Sequence, residues 1–181
     1  HEMKSFLGLI SQFRDHVQNY ADLTAPCHDM ILGYKKGSKV PLEWNDELND
    51  NFIKLKAAVA NCSKLYFIDD KLPIFLHTDA SIIGIGSYLF QLKDDERIPI
   101  RFVNKLLNKT ERNWNIVEKE MYAIFFSFMK LEHLLRDTHF TLRTDSKILS
   151  HLNVDHKEKV KRWKIAIQQF DFDVEHISGK D

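Results

Sequence analysis

Two short apolar runs in this sequence end in the same way, with a threonine followed by an aspartate. Residues 74–78 lead into Asp79, and residues 140–144 lead into Asp145. Short apolar runs bounded by polar residues predict buried strands. A long stretch of helical periodicity separates the two runs, and such a crossover places two parallel strands in one sheet. Because open α/β sheets bind ligands at the carboxyl ends of their strands, we expect Asp79 and Asp145 to lie side by side.

The order of elements around these runs predicts an α/β fold, a mixed five-stranded sheet with helices packed on its faces. Polar and glycine-rich segments punctuate the chain between the apolar stretches. The predicted strands are 73–79, 84–92, 97–103, 139–145 and 172–177, and the predicted helices are 112–136, a short one at 146–152, and 157–170.

The first third of the chain has helical periodicity and no strand pattern. Three helical segments are expected: one with a stripe of Phe6, Leu9, Phe13 and Val17, a shorter one over 23–32, and one after Trp44 with a stripe of Leu48, Phe52, Leu55 and Val59. Asn45 or Asp46 can cap the third helix. We therefore predict a small all-helical subdomain over residues 1–65 and a sheet domain over 66–181.

The helix between the two Thr-Asp pairs contains two candidate glutamates, Glu118 and Glu120. Its apolar residues are spaced as one buried seam, formed by Val117, Met121, Ile124, Phe128, Leu131 and Leu135. At about 100° per residue, Glu120 is near that seam and Glu118 points further away. We predict that Glu120 reaches toward the strand ends and that Glu118 faces water.

Three converging carboxylates would form a site for hard divalent cations, because Mg²⁺ prefers oxygen ligands. Two such ions held close together can drive phosphodiester hydrolysis. The alternative is ordinary structure: a Thr-Asp pair after a strand is often only a turn, and a glutamate beside an apolar stripe is often only solvated. From the residues alone, both interpretations of Asp79, Glu120 and Asp145 stay open.

Overall charge does not indicate a nucleic-acid partner, because 26 basic residues balance 26 acidic ones. Lys157, Lys161 and Lys164 follow helical spacing and would form a local basic face, which is either a set of phosphate contacts or a solvated face.

Two cysteines and nine histidines show no zinc spacing and no disulfide framework, and a reducing compartment is expected. No apolar run approaches the roughly 18 residues of a membrane span. The opening residues are not typical of a natural start, so we expect a piece of a longer protein.

Several blocks of the sequence resemble the ribonuclease H of gypsy-type long-terminal-repeat retrotransposon polyproteins. Three of them contain the candidate acids: residues 78–81, 118–124 and 143–147. Others are the stretch Asn104–Trp114 and the final-strand segment Phe170–His176, while Phe6–Leu9, Ala25-Pro26 and Trp44 resemble the end of the reverse transcriptase that precedes this domain. The resemblance covers nearly the whole chain.

This resemblance implies a metal-dependent endonuclease that cleaves the RNA strand of RNA–DNA hybrids. Asp79, Glu120 and Asp145 fall on the family's first three metal ligands, with two Mg²⁺ or Mn²⁺ ions in the complete site. Ser81 is a candidate nucleic-acid contact. The implied partners are an RNA–DNA hybrid, the rest of the reverse transcriptase polyprotein and, as one candidate, a second copy of the chain, in a virus-like particle or the nucleus and not at a membrane.

The sequence departs from that family at its end. The family has a fourth carboxylate on a helix beyond the Gly179-Lys180 turn, and Asp181 matches a position before that helix. Asp171 and Asp173 are poor substitutes for it. The segment is therefore expected to cleave weakly, and the alternative is an inactive ribonuclease H-like module for nucleic-acid binding or subunit packing.

Overall fold

The structure is a computed structural model that describes residues 2–32, 44–145 and 158–177. Within these ranges, five strands form one mixed sheet in the order β3-β2-β1-β4-β5. The strands are β1 (Ile74–Ala80), β2 (Gly84–Lys93), β3 (Glu96–Leu106), β4 (Phe140–Thr144) and β5 (Phe172–His176). The predicted fold class, a five-stranded mixed sheet with flanking helices and preceding helical segments, is confirmed.

The two strands that end in Thr-Asp are neighbours, as predicted. β1 pairs with β4 in parallel and with β2 in an antiparallel hairpin. β2 continues into an antiparallel pair with β3, and β5 joins β4 in parallel at the other edge. β1 is therefore the central strand with β4 beside it, and the carboxyl ends of the two strands point the same way.

The helices are α1 (Glu2–Ile10), α2 (Tyr20–Leu32), α3 (Asp46–Ala60), α4 (Lys109–Arg112), α5 (Ile116–Lys130), α6 (Glu132–Leu135) and α7 (Glu158–Ile167). The single helix predicted over 112–136 is thus wrong, since that stretch contains the last residue of α4 and two separate helices, α5 and α6. Asn108 and Asn115 each form a capping box that starts a new helix, and α5 ends at Lys130, because the following Leu131 leaves helical geometry. The helix predicted over 146–152 lies outside the described residues.

The main core lies between the sheet and α5. The seam predicted for this helix is confirmed at five of its positions, which are fully buried: Met121, Ile124, Phe128, Leu131 and Leu135. Val117 is the exception, with 40% of its surface exposed. α7 packs on α5 and adds Val160 and Ile167 to the same core, and Phe170 joins it from the turn after α7.

The first three helices form a second apolar cluster around Leu7, Cys27 and Leu55. The stripe predicted for the first of them is partly wrong, because Leu9 and Phe13 are exposed. α1 ends at Ile10 and a short 3₁₀ turn (Ser11–Phe13) follows, so the helical spacing does not continue through Phe13. Asn45 caps α3 by accepting a hydrogen bond from the backbone N–H of Leu48 at 2.8 Å.

Polar contacts join this helical segment to the sheet. Arg101 of β3 pairs with Asp15 at 3.2 Å, and Arg112 pairs with Asp29 at the same distance. The domain boundary near residue 65 stays a prediction. No helix in the described part of the chain is long and apolar enough to cross a membrane.

Candidate functional site

The two predicted aspartates lie at the same level of neighbouring parallel strands. β1 and β4 pair at three positions, of which the last sets His77 beside Arg143. The same register, continued two residues, sets Asp79 beside Asp145. Adjacent strands are about 4.8 Å apart, so both aspartates reach one edge of the sheet. Both are exposed, as residues at the mouth of a site would be.

Glu120 reaches the same edge from the first half of α5. It is 6% exposed, and burial raises its pKa to about 8, with the negative charges of Asp145 and Asp79 adding to the increase. The backbone N–H of Ala80 donates a hydrogen bond to the carboxylate and opposes this shift. The Oε2 atom is buried with no hydrogen-bond partner. The structure therefore brings all three predicted acids within electrostatic reach of one another.

The donor set fits a hard divalent cation. All three groups supply carboxylate oxygens, the ligands that Mg²⁺ and Mn²⁺ prefer, and a cation would pair with the orphaned Glu120 oxygen and offset the mutual repulsion. Within the described ranges, however, no three His, Cys, Asp or Glu side chains are grouped closely enough to hold one ion. The carboxylates are thus neighbours without forming a closed ligand shell.

Asp79 and Asp145 line a cavity of about 200 Å³ on the face of the sheet opposite α5. His77 lines it as well, and the pKa of this imidazole is lowered chiefly by burial, while the negative charges of Asp79 and Asp145 oppose the shift. The guanidinium groups of Arg97 and Arg143 lower the pKa further. His77 therefore holds a proton less readily than a free imidazole does.

The prediction that Glu118 faces water is wrong. Glu118 is 2% exposed, and its carboxylate accepts a hydrogen bond from the backbone N–H of Asn115 at 3.0 Å, which caps α5. It also pairs with Lys159 of α7 at 3.1 Å. The helical wheel of α5 placed Glu118 away from the sheet correctly, but α7 covers that side. Glu118 is a structural residue that fixes α7 against α5.

Ser81 follows the first aspartate and is engaged within the protein. Its hydroxyl donates to Asp22 of α2 at 2.8 Å and accepts from the backbone N–H of Gly84 at 2.9 Å. These bonds fix the turn between β1 and β2. The role of Ser81 as a nucleic-acid contact stays a prediction.

Two of the three lysines of the predicted basic face on α7 lie within the residues that the structure describes. Lys161 is exposed and pairs with Glu158 at 2.9 Å. Lys164 is partly buried, and this burial lowers its pKa. Lys157 lies outside the described residues. Phosphate binding by these lysines stays a prediction.

Sequence reasoning missed three amide side chains that line the cavity with Asp79 and Asp145: Gln18, Asn19 and Asn104. Asn104 comes from β3, two strands from Asp79. Gln18 and Asn19 come from the loop before α2, about sixty residues upstream of the strand they approach. No local pattern marks them, because only tertiary packing brings this loop to the sheet.

Comparison with known proteins identifies the family of the sheet domain. The family described as "RNase H-like domain found in reverse transcriptase" matches residues 69–170. The retrovirus-related Pol polyprotein from transposon opus of Drosophila melanogaster is 32% identical over 188 residues, covering 99% of this chain and 19% of that protein. The corresponding polyprotein from transposon gypsy, also of Drosophila melanogaster, is 32% identical over 192 residues, covering 100% of this chain and 18% of that protein. The chain therefore spans less than a fifth of the length of either relative.

A solved structure has the same fold. The foamy viral protease-reverse transcriptase in complex with RNA/DNA hybrid matches with a TM-score of 0.74 at 16% identity, covering 99% of this chain and 25% of that chain. The match extends over the helical segment as well as the sheet. At this identity the likeness concerns the fold alone.

Proposed function

Since this chain belongs to the RNase H-like domains found in reverse transcriptases, we propose that it hydrolyses the RNA strand of RNA–DNA hybrids with divalent cations held by Asp79, Glu120 and Asp145. The observation that supports this most strongly is the state of Glu120. A buried carboxylate with an unpartnered oxygen and two acidic neighbours is costly for the folded protein. Perturbed acids of this kind are found at functional sites.

The three acids have different positions, and we assign each a different role. Asp79 and Asp145, exposed at adjacent strand ends, are open to a phosphate from solvent. Glu120 closes the site from the side of α5, and the N–H of Ala80 orients its carboxylate. Divalent cations bound here would activate the attacking water and stabilise the leaving 3′-oxygen.

The partners of the chain follow from the same proposal. The related polyproteins are several times longer than this chain, so we propose that the domain acts as one part of a reverse transcriptase polyprotein. The foamy viral protease-reverse transcriptase, which shares this fold, was solved in complex with RNA/DNA hybrid. An RNA–DNA hybrid is accordingly the substrate that we propose for this chain, with Mg²⁺ or Mn²⁺ as the metal.

A second candidate function is an RNase H-like module that binds nucleic acid or packs against other subunits without cleaving. One observation favours it: among the described residues, the acids do not form a three-ligand group. The two candidates differ in turnover and agree in binding, so a cleavage assay separates them.

The test is cleavage of a hybrid labelled on its RNA strand, with Mg²⁺ and with Mn²⁺, by the wild type and by Asp145→Asn. We expect metal-dependent loss of the RNA strand that Asp145→Asn reduces by at least about a hundredfold. The matched control is Asp173→Asn, an exposed aspartate at the far end of β5 that faces His139. This control should cleave as the wild type does.

Two results would contradict the nuclease proposal. One is binding of the hybrid by the wild type with no cleavage in either metal, which favours the binding module. The other is equal cleavage by the wild type and Asp145→Asn, which would assign the activity to other residues or to a contaminant.

A further inference from the structure

We propose that the loop containing Gln18 and Asn19 forms part of the substrate-binding wall and contacts ribose 2′-hydroxyls of the RNA strand. This inference rests on the proposed function and deepens it, because it assigns recognition of RNA to residues outside the sheet domain. Gln18 and Asn19 line the same cavity as Asp79 and Asp145. The helical segment would then be a component of the nuclease site.

One row of residues across the sheet supports this proposal. Asp79 pairs with Gly86 of β2, and Gly86 pairs with Asn104 of β3. A methyl group added at Gly86 would lie 3.6 Å from Oδ1 of Asn104 and 3.7 Å from Oδ1 of Asn19. Both carboxamides therefore converge above Gly86, one strand away from the candidate metal ligand.

The loop is held at this position by the edge strand. Nδ2 of Asn104 donates to the backbone carbonyls of Arg14 at 3.1 Å and Val17 at 3.2 Å. The backbone N–H of Phe102 donates to the carbonyl of Asp15 at 3.1 Å. These bonds run along β3 and fix the backbone immediately before Gln18. The amide side chains are consequently presented by a tethered loop beside the carboxylates.

The loop also has a specific backbone conformation at its end. Asn19 adopts a φ of 54°, and its carbonyl accepts the hydrogen bond from the N–H of Leu23 at 3.1 Å. Asparagine tolerates this left-handed geometry better than most residues. Glycine at this position would keep the backbone conformation and remove the amide.

The chemistry of carboxamides suits a ribose next to a metal site. A 2′-hydroxyl both donates and accepts hydrogen bonds, and it is the group that distinguishes RNA from DNA. Gln and Asn side chains also donate and accept. Being uncharged, they add no further negative charge beside three carboxylates. The exposed positions of Gln18 and Asn19 leave them open to a ligand in the cavity.

The test compares binding of two duplexes of identical sequence, a labelled RNA–DNA hybrid and the corresponding DNA duplex, by fluorescence anisotropy in EDTA. The double variant Gln18→Ala, Asn19→Gly removes both amides and keeps the backbone conformation. We expect its affinity for the hybrid to fall about tenfold, the effect of one or two lost hydrogen bonds, with its affinity for DNA unchanged. Gln12→Ala, an exposed glutamine in the 3₁₀ turn, is the matched control and should retain the preference for hybrid.

The inference is overturned if the double variant retains the wild-type ratio of hybrid to DNA affinity, or if the wild type has no preference for the hybrid. A uniform loss of both affinities would also overturn it, since that pattern indicates general damage to the surface. Because this assay involves neither metal nor turnover, its outcome is independent of the cleavage assay that tests the carboxylates. Thermal unfolding of each variant confirms that the protein compared is folded.

Discussion

The Ser81 hydroxyl donates a 2.8 Å hydrogen bond to Asp22, linking the turn after β1 to a helix that begins more than fifty residues earlier. The turn follows directly on Asp79, so α2 helps to fix the end of the strand that presents a candidate metal ligand. The same serine accepts hydrogen bonds from the backbone N–H groups of Ile83 and Gly84. The helical segment and the site are therefore mechanically connected.

Removing this link should affect the site more than the fold. We expect Asp22→Ala to lower the rate of hybrid cleavage about tenfold, because a small displacement of a positioned group costs this much or more. Asp22→Asn keeps an oxygen that can accept from Ser81 and should recover most of the rate. The measurement is single-turnover cleavage at saturating enzyme. Equal rates for Asp22→Ala and the wild type would refute the positioning role.

The two glycines of β2 differ in the space around them. A methyl group at Gly84 would lie 3.0 Å from Oδ1 of Asp22 and 3.2 Å from Cβ of Ala21, whereas one at Gly86 would meet only ordinary contacts. We expect Gly84→Ala to lower the free energy of unfolding by about 1–3 kcal/mol, the usual cost of overpacking. Gly86→Ala is the matched control and should be near neutral. Urea unfolding measures the stability of both variants. Equal stabilities of Gly84→Ala and Gly86→Ala would mean that α2 does not pack tightly against β2 at Gly84.

Glu120 should make the metal-free protein less stable as the pH rises. Its folded pKa of about 8 is above the ordinary value of 4.5, so its contribution to stability is complete below 4.5 and is lost as the pH rises through about 8. Glu120→Gln cannot ionise, and we expect it to be more stable than the wild type by a few kcal/mol near pH 8, with little difference near pH 5. Thermal unfolding in EDTA across this range measures the difference. A constant gap between the two proteins at every pH would contradict this prediction.

Glu118, two residues earlier, should stabilise the folded protein, whereas ionised Glu120 destabilises it. Its carboxylate caps α5 and pairs with Lys159, so Glu118→Ala should lower the free energy of unfolding by about 2 kcal/mol, the scale of a lost cap plus a partly buried ion pair. Lys159 also lies 3.9 Å from the centroid of the Trp114 ring, and this contact would loosen too. Chemical unfolding measures the loss of stability. Glu132→Ala, at the first residue of α6, is the control. A neutral result for Glu118→Ala would show that α7 is held by its apolar face alone.

The sheet and the placement of two candidate carboxylates, Asp79 and Asp145, were predictable because the signals are local. The runs before Asp79 and Asp145 are apolar, short and similar, and strand pairing follows from the order of the elements. Glu120 was predictable because helical geometry relates it to a seam of buried residues only a few positions away.

The rest depends on contacts that no local pattern contains. Glu118 is buried because a second helix covers α5, and helical periodicity describes one helix at a time. Gln18 and Asn19 reach the site only because their loop bonds to β3. The break between α4 and α5 is local, since Asn108 and Asn115 are both capping residues, but the apolar periodicity that continues past them hides it.

The most direct test of the central claim is binding of Mn²⁺ to the wild type, measured by titration calorimetry and compared with Asp79→Asn, Glu120→Gln, Asp145→Asn and the control Asp173→Asn. If Asp79, Glu120 and Asp145 hold the metal together, each of the three site variants should lose at least about tenfold in affinity, and Asp173→Asn should bind as the wild type does. Wild-type affinity in all three site variants would show that these carboxylates do not form a metal site.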